Sequence, residues 1–341
     1  MAGFKEQTGP VGYRQTQSRF AVEGARLRSL ANGKSYGIGR LELLSLRELR
    51  QRAGSGLPVR GECRIRAIHG EAGQLHADAA HHRALFQVAS QFNLLEMAGP
   101  GVVPEEGVTG YVNDPTQGPA CAIAAGAATI YRNYFVPVNG EIGQRADRQI
   151  DGLASLGAEL GRRMNEPARE IWTMRNGYAM FEPRAVGRVS NYLAGLDEGE
   201  RDAIRQMLQI GVQWDVEVTA GGAPQGQQVT QAFCSALPIG YHHDGQSALE
   251  QWEPVARLVL DALYEATLWA AVINAQNGGS RTVLLTFVGG GVFRNKVEWI
   301  RSAIERAVRA TAGHGLDIVV VYFHAPTALD RSWVGTLGSA A

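Results

Sequence analysis

The chain of 341 residues is short of three things, and each shortage removes a class of function. Cysteine comes first. Cys63, Cys121 and Cys234 are an odd number in a long chain, which argues against a disulfide framework and fits a reducing compartment. Net charge is the second. Lys plus Arg and Asp plus Glu both number 33, so no overall field draws the chain to nucleic acid or an anionic membrane, and any phosphate recognition must be local. A long apolar run is the third. Met1 to Pro10 is polar and lacks the apolar stretch of a signal peptide. The most apolar segment, Leu258 to Ile273, carries Asp261 and Glu265 and so reads as a buried helix rather than a membrane span. The expectation is a cytoplasmic protein with no nucleic-acid or membrane partner. No G-x-G-x-x-G stands between a strand and a helix, which disfavours a Rossmann-type nucleotide-sugar enzyme. No internal repeat is visible, nor a clear linker between independent domains.

Glycine, by contrast, is abundant. The 42 glycines are spread among apolar segments, a pattern of many strand-to-helix turns rather than of low complexity, and a hydrophobic content of 45% is ample for a core. Two glycine-rich loops stand out. Thr116-Gln117-Gly118-Pro119-Ala120-Cys121 opens a helix of small residues that runs to Arg132. Val288-Gly289-Gly290-Gly291-Val292-Phe293-Arg294-Asn295 follows Thr282 to Val288, an almost unbroken β-branched and apolar run that reads as a buried parallel strand. Glycine permits φ > 0, so successive backbone N–H groups can converge on an anion at a helix N-terminus, where the helix dipole adds positive charge. Either loop alone is explained as a tight turn. Two of them suggest a diphosphate gripped from both sides.

The remaining pattern alternates. Helices are expected over Ser45 to Arg52, Arg148 to Asn165, Leu249 to Asn274 and Lys296 to Ala310. Strands are expected over Arg64 to Ile68, within Ala84 to Asn93, over Gln213 to Thr219, Val229 to Leu237 and Leu316 to Phe323. Such alternation implies an α/β sheet with parallel elements.

Read together, these segments resemble the macrodomain family, the ADP-ribose-binding α/β/α fold. Gly70-Glu71 is similar to the family's strand-ending glycine–acid pair beside adenine, with Glu in place of the more usual Asp. Phe92-Asn93 resembles the strand end whose asparagine lies beside the distal ribose. Gln117 to Gly126 resembles the first glycine-rich loop and its small-residue helix, and Gly289 to Phe293 the second loop, with Phe293 near the proximal ribose and diphosphate. The terminal strand would put Phe323 or His324 beside the adenine. The phrases Asn113 to Ala122, Tyr131 to Phe135 and Leu284-Thr286-Gly289-Gly290-Gly291 look like the atypical macrodomain-like ADP-ribosylhydrolases of bacterial effectors and their relatives, which act on ADP-ribosylated arginine.

The resemblance covers scattered parts of residues 62–325. It implies a three-layer α/β/α domain with a mixed sheet over residues 59–341, an N-terminal extension over 1–58 packed on it, and an insertion at about 136–230, because Asn133 to Arg281 exceeds the family's usual middle section. It also implies ADP-ribose as ligand or product, no further cofactor, and an ADP-ribosylated protein as substrate. The implied ligand contacts are Glu71, Asn93, Thr116, Gln117, Gly118, Ala120, Cys121, Gly289, Gly290, Gly291, Val292, Phe293, Asn295 and Phe323.

Removing ADP-ribose from a side chain breaks the bond at the distal ribose's anomeric carbon through an oxocarbenium-like transition state, which calls for a carboxylate to activate water or steady a hydroxyl. Three are candidates. Asp114 precedes the first loop, although Asn-Asp-Pro is also an ordinary turn. Asp261 and Glu265, at i and i+4, share a helix face; they read as a buried pair with one pKa pushed up, as an exposed acidic stripe, or as a salt bridge to Arg257. His69, His76, Asp78, His81 and His82, and His242-His243-Asp244, match no zinc spacing, so no metal is expected. Cys121 reads as an activated thiolate or, given its Pro and Ala neighbours, as a small packing residue. Tyr131, Tyr134 and Phe135 read as core or as ribose-pocket residues. The expected function is an ADP-ribosylhydrolase acting on modified protein side chains, arginine first. The alternative is a non-catalytic ADP-ribose-binding module, which needs the loops and Asn93 but not the carboxylates.

Overall fold

Seven strands form the central sheet: β1 (Arg40–Ser45), β2 (Arg64–His69), β3 (Leu85–Ala89), β4 (Gln209–Glu217), β5 (Gln228–Cys234), β6 (Thr282–Leu285) and β7 (Asp317–Tyr322). Their order is β1-β4-β5-β3-β6-β7-β2. The pairs β1–β4 and β4–β5 are antiparallel, whereas β5, β3, β6, β7 and β2 all run parallel. The structure, a computed structural model, describes residues 1–182, 184–242 and 249–338.

Alternation along the strands sorts the two faces. Leu85, Val283, Leu285 and Ile318 pack with α5 (Leu249–Gln276), while Phe86, Leu284 and Val319 pack with Ala125 and Ala128 on the other side. The first face also carries α1 (Leu46–Ser55) and α6 (Val297–Ala310); the second carries α2 (Gln117–Ala124) and α3 (Gly126–Tyr134). Three layers around a mixed sheet is the architecture expected from the sequence. In α5, 83% of the most apolar stretch is buried, because its small and branched residues face the sheet on one side and α1 and α6 on the other.

Residues 1–58, expected as an extension, supply the edge strand β1, whose register pairs Ser45 with Gln209. They also supply α1, begun by a capping box in which Ser45 Oγ accepts from Glu48 N–H (3.2 Å) and Glu48 Oε2 accepts from Ser45 N–H (2.8 Å). The range 136–230, expected as an insertion, contains β4 and part of β5, besides the helix Ala154–Met164, the hairpin Trp172–Arg175 and Tyr178–Phe181, the helix Ala185–Ala194 and α4 (Glu198–Arg205).

Two expected elements differ in extent. The apolar run 282–288 leaves the sheet after Leu285, because the Tyr264 hydroxyl takes over its hydrogen bonding, donating to Thr286 O (2.6 Å) and accepting from Val288 N–H (2.9 Å). The small-residue helix divides at Ala125 (φ −120°, ψ 57°), where Ala124 O accepts from Thr219 N–H (2.7 Å) rather than from the next helical turn.

Candidate functional site

All five parallel strands end on one side of the sheet, so the segments that follow them converge. A cleft of about 580 Å³ lies there, lined by the continuations of β3, β5, β6 and β7, and a smaller pocket of about 60 Å³ adjoins it at the end of β2. The crevice beyond the carboxyl ends of parallel strands is where open α/β sheets hold ligands.

Both glycine-rich loops reach this cleft. In the first, Gln117 acts as a substitute strand neighbour: its Oε1 accepts from Ala89 N–H and its Nε2 donates to Gln87 O, both at 2.8 Å. This clamps the start of α2 against β3. Gly118 is required by that closeness, since a Cβ there would lie 1.9 Å from Ala89 O. The Thr116 side chain does not cap α2, and Thr116, Gln117 and Gly118 line the cleft, with the N–H groups of Gln117 and Gly118 lacking an acceptor among the described residues.

The second loop turns at Gly289 (φ 81°) and Arg294 (φ 59°) and is tied by Asn295, whose Nδ2 donates to Leu237 O (3.0 Å) and Gly289 O (3.3 Å). Asn295 is buried and shapes the loop rather than lining the cleft, and Gly290 faces away from it. Gly289, Gly291, Val292 and Phe293 do line it. Among the described residues, the N–H groups of these four have no acceptor in the chain, an arrangement suited to an anion.

An aromatic wall closes one end. Phe293 sits 5.5 Å from Tyr178 and 5.8 Å from Tyr241, centroid to centroid, and Tyr178 is fixed by donating its hydroxyl to Met97 O (2.7 Å). Nothing in the sequence marked Tyr178 or Tyr241, because each arrives from a region without a recognisable pattern. At the other end Phe323, two-thirds exposed, belongs to both the cleft and the small pocket, which Glu71 and Ala120 also line. Val292 stands exposed at the cleft wall.

Of the three carboxylates named from the sequence, the structure brings only Asp114 to the cleft. It is also the turn-former, its Oδ1 accepting from Thr116 N–H (2.9 Å), so its two readings coexist. Asp261 and Glu265 are a correction. They do share one face of α5, but that face meets α1 and α4: Glu265 Oε1 accepts from Arg50 Nε (2.7 Å), and Asp261 lies 3.6 Å from Arg205 Nη1. Neither lines the cleft, so neither can touch a ligand held there. The partner first considered, Arg257, instead donates to Glu253 (2.8 Å).

Asn93 is a second correction. The strand ends at Ala89, and Asn93 is fully buried beyond it, donating to Gln149 Oε1 (2.8 Å) and accepting from Leu95 N–H (3.1 Å). It braces the loop after β3 and makes no part of the cleft wall. Cys121 is likewise buried against Val88 and Phe233, and burial pushes its thiol well above the ordinary value, which makes it a packing residue. Tyr134 is fully buried and Tyr131 packs beside it, both with Tyr13 and Phe20. His76 stacks on Phe86 at 3.8 Å with burial pushing it down to about 4, a neutral core histidine. His242 Nε2 accepts from Phe181 N–H (2.9 Å); His243 and Asp244 lie outside the described residues. Among the described residues no three His, Cys, Asp or Glu side chains are grouped to hold a metal.

One acid also escaped the sequence reading. Glu96, a single acid in the apolar stretch 92–97, lines the cleft beside Gly118, whose added Cβ would meet Glu96 Cγ at 3.2 Å. Burial pushes its carboxyl up to about 8 against the opposing pull of Arg132, whose Nη2 is 3.8 Å away. Arg132 is itself held elsewhere, by Leu94 O (3.0 Å), Gln213 Oε1 (3.0 Å) and Thr129 Oγ1 (3.1 Å), with its guanidinium 3.8 Å over the Phe233 ring. The lone charge among apolar neighbours was the signal available.

No protein-family model matches the sequence, and no curated protein matches it. Among solved structures the chain is similar to the poly(ADP-ribose) glycohydrolase from Thermomonospora curvata, with 14% identity, a TM-score of 0.45 and coverage of 96% of this chain and 97% of that one. It is also similar to the poly(ADP-ribose) glycohydrolase from Deinococcus radiodurans in complex with ADP-ribose, with 13% identity, a TM-score of 0.41 and coverage of 88% and 93%.

Proposed function

We propose that the cleft binds ADP-ribose and that the chain hydrolyses its linkage to a modified protein side chain, with ADP-ribose as ligand or product and no further cofactor. The observation that carries this reading is the convergence of both glycine-rich loops on one cleft. Unpartnered N–H groups of Gly289, Gly291, Val292 and Phe293 and the first helical residues of α2 suit a diphosphate between them. Phe323 with Glu71 offers a flat face and an acceptor for a purine at one end, and the Tyr178–Tyr241–Phe293 wall packs a ribose at the other. Asp114 and Glu96 supply carboxyl groups in the same cleft. A non-catalytic reader would use the loops but has no need of a buried acid on the cleft wall, and this favours the hydrolase. Arginine is the first linkage to assay, on the sequence resemblance.

Gly291→Val tests the binding half. A Cβ at Gly291 meets nothing within 4 Å and its φ is not positive, so bulk enters the cleft without straining the fold. Calorimetric ADP-ribose affinity should fall at least ~10-fold, or ~1.4 kcal/mol, at an unchanged melting temperature. Undiminished affinity would remove the ligand from this cleft. Asp114→Asn tests the catalytic half, with ADP-ribose release expected to drop by ~10²–10⁴ if that carboxylate takes a proton from water; full activity would eliminate it.

A further inference from the structure

A second cavity, of about 320 Å³, lies at the end of the sheet opposite the cleft, where β1, β3 and β5 begin and β4 ends. Its lining carries three guanidinium groups, Arg26, Arg40 and Arg83, against one carboxylate, Asp215. Each arginine arrives from a different element: Arg26 from the strand Arg26–Ser29, Arg40 from the first position of β1, and Arg83 from the turn before β3. Two are fixed in place. Arg26 donates through Nε to Ser35 Oγ (3.0 Å) and through Nη2 to Ser35 O (2.7 Å), and Arg83 Nη1 donates to Gly278 O (2.9 Å) just beyond α5. Glu42 and Glu217, which pair with Arg40 (2.6 Å) and Arg26 (3.6 Å), do not line the cavity. Donors remain in reserve: Arg26 Nη1 and Arg40 Nε and Nη2 have no acceptor among the described residues, and Arg83 Nη2 comes only within 3.5 Å of Asp215 Oδ1.

The backbone on both sides of that last contact is strained. Arg83 (φ 56°) and Asp215 (φ 52°) both stand in the left-handed region, a conformation that costs a side-chain-bearing residue energy and gathers at ligand sites. Arg83 is pinned in it. Its N–H donates to Gln228 O (2.7 Å), and its carbonyl accepts from Ser280 N–H and Asn274 Nδ2, both at 2.9 Å. Asp215 lies where β4 bulges between Gln213 and Val216, a device that re-aims a side chain.

We propose that this cavity is a second binding site, for the phosphate or diphosphate group of a small ligand, in which Asp215 competes with that group for Arg83. The planar forks of three guanidiniums match phosphate oxygens, and holding Arg26 and Arg83 in advance spares the entropy of gathering them. The site is independent of the cleft and of what the cleft hydrolyses.

Inorganic pyrophosphate is the probe, titrated by calorimetry at low ionic strength into the full chain and three variants. Arg40→Gln should weaken binding at least ~10-fold, the lower bound for one charge-assisted hydrogen bond. Glu42 keeps Arg52 (2.9 Å) and Trp214 (2.7 Å) in that variant, so β1 stays in place and the melting temperature should hold. Asp215→Asn should tighten binding ~2–5-fold, because asparagine adopts left-handed backbone readily and lacks the competing charge. Gly291→Val, which fills the cleft, should change nothing. Binding lost in Gly291→Val and kept in Arg40→Gln puts the anion in the cleft and overturns the second site. No binding by the unmutated chain, or no gain in Asp215→Asn, overturns it too.

Discussion

The chain buries acids beside arginines in two places, and they are built on opposite plans. Between α1, α4, α5 and α6, Arg50 forks onto Asp202 at 2.8 and 2.9 Å and reaches Glu265 at 2.7 Å, Trp269 Nε1 donates to the same Glu265 oxygen, and Arg306 bonds Glu198 at 2.8 Å. These contacts hold the Asp202 carboxyl well below its ordinary range. At the cleft, Glu96 has a single arginine at 3.8 Å whose donors serve other acceptors, and its carboxyl moves the other way. An acid whose oxygens are engaged by fixed donors acts as a fastener. One left without them holds its proton instead.

The largest test of that contrast is Arg50→Ala. It removes three close bonds from Asp202 and Glu265 and leaves Arg306, at 3.5 and 3.8 Å, as the cation they share, at a cost of ~3 kcal/mol, the lower end for a broken buried pair because water reaches Arg50. The urea midpoint should fall with no change in slope, while ADP-ribose affinity stays put. Loss of affinity without loss of stability would mean that the network, and not the cleft, contacts ligand.

Glu96→Gln should do something different to stability. The Glu96 carboxyl stays protonated in the fold up to about pH 8 but ionises near 4.5 when unfolded, so between these values the unfolded chain holds fewer protons and stability falls as pH rises. The slope is up to ~1.4 kcal/mol per pH unit. Asp261, raised by burial to about 6, adds the same sign below that pH, and His76, lowered to about 4, has the opposite sign between there and 6.5. The window from 6.5 to 8 therefore isolates Glu96, and Glu96→Gln should flatten the curve there. A persisting slope would relocate the buried acid.

The smallest effect should come from a strong chelator or a thiol reductant. Turnover should be unchanged by either, since all three cysteines are free and buried and, among the described residues, no three His, Cys, Asp or Glu side chains are grouped to hold a metal. Loss in EDTA with recovery on one divalent ion would replace proton chemistry with metal chemistry at the cleft.

The loops were legible in the sequence because backbone geometry selects their residues: Gly289 needs its positive φ and Gly118 has no room for a Cβ. Strand ends were legible from apolar runs, but not to the residue, since the Tyr264 hydroxyl that ends β6 comes from a distant helix. The carboxylates divided for a related reason. Spacing put Asp261 and Glu265 correctly on one helix face, but which side chains face them is decided by Arg50, Arg205 and Arg306 from three other helices. Asn93 sat at the expected place in sequence and was drawn into the interior by Gln149. Tyr178 and Tyr241 reach the cleft only through the folded path of the middle region.

The sheet order also sets a timetable. Its two edges, β1 and β2, are both made early, and their neighbours β4 and β7 late: Ser45 waits for Gln209, and Arg64 for Asp317. With translation at ~5–20 residues per second, both early strands are exposed on the ribosome for many seconds with unpaired backbone edges, and closing such long loops is slow. A nascent chain of this topology therefore carries two open strand edges, each a template for pairing with another chain, until its final strands emerge.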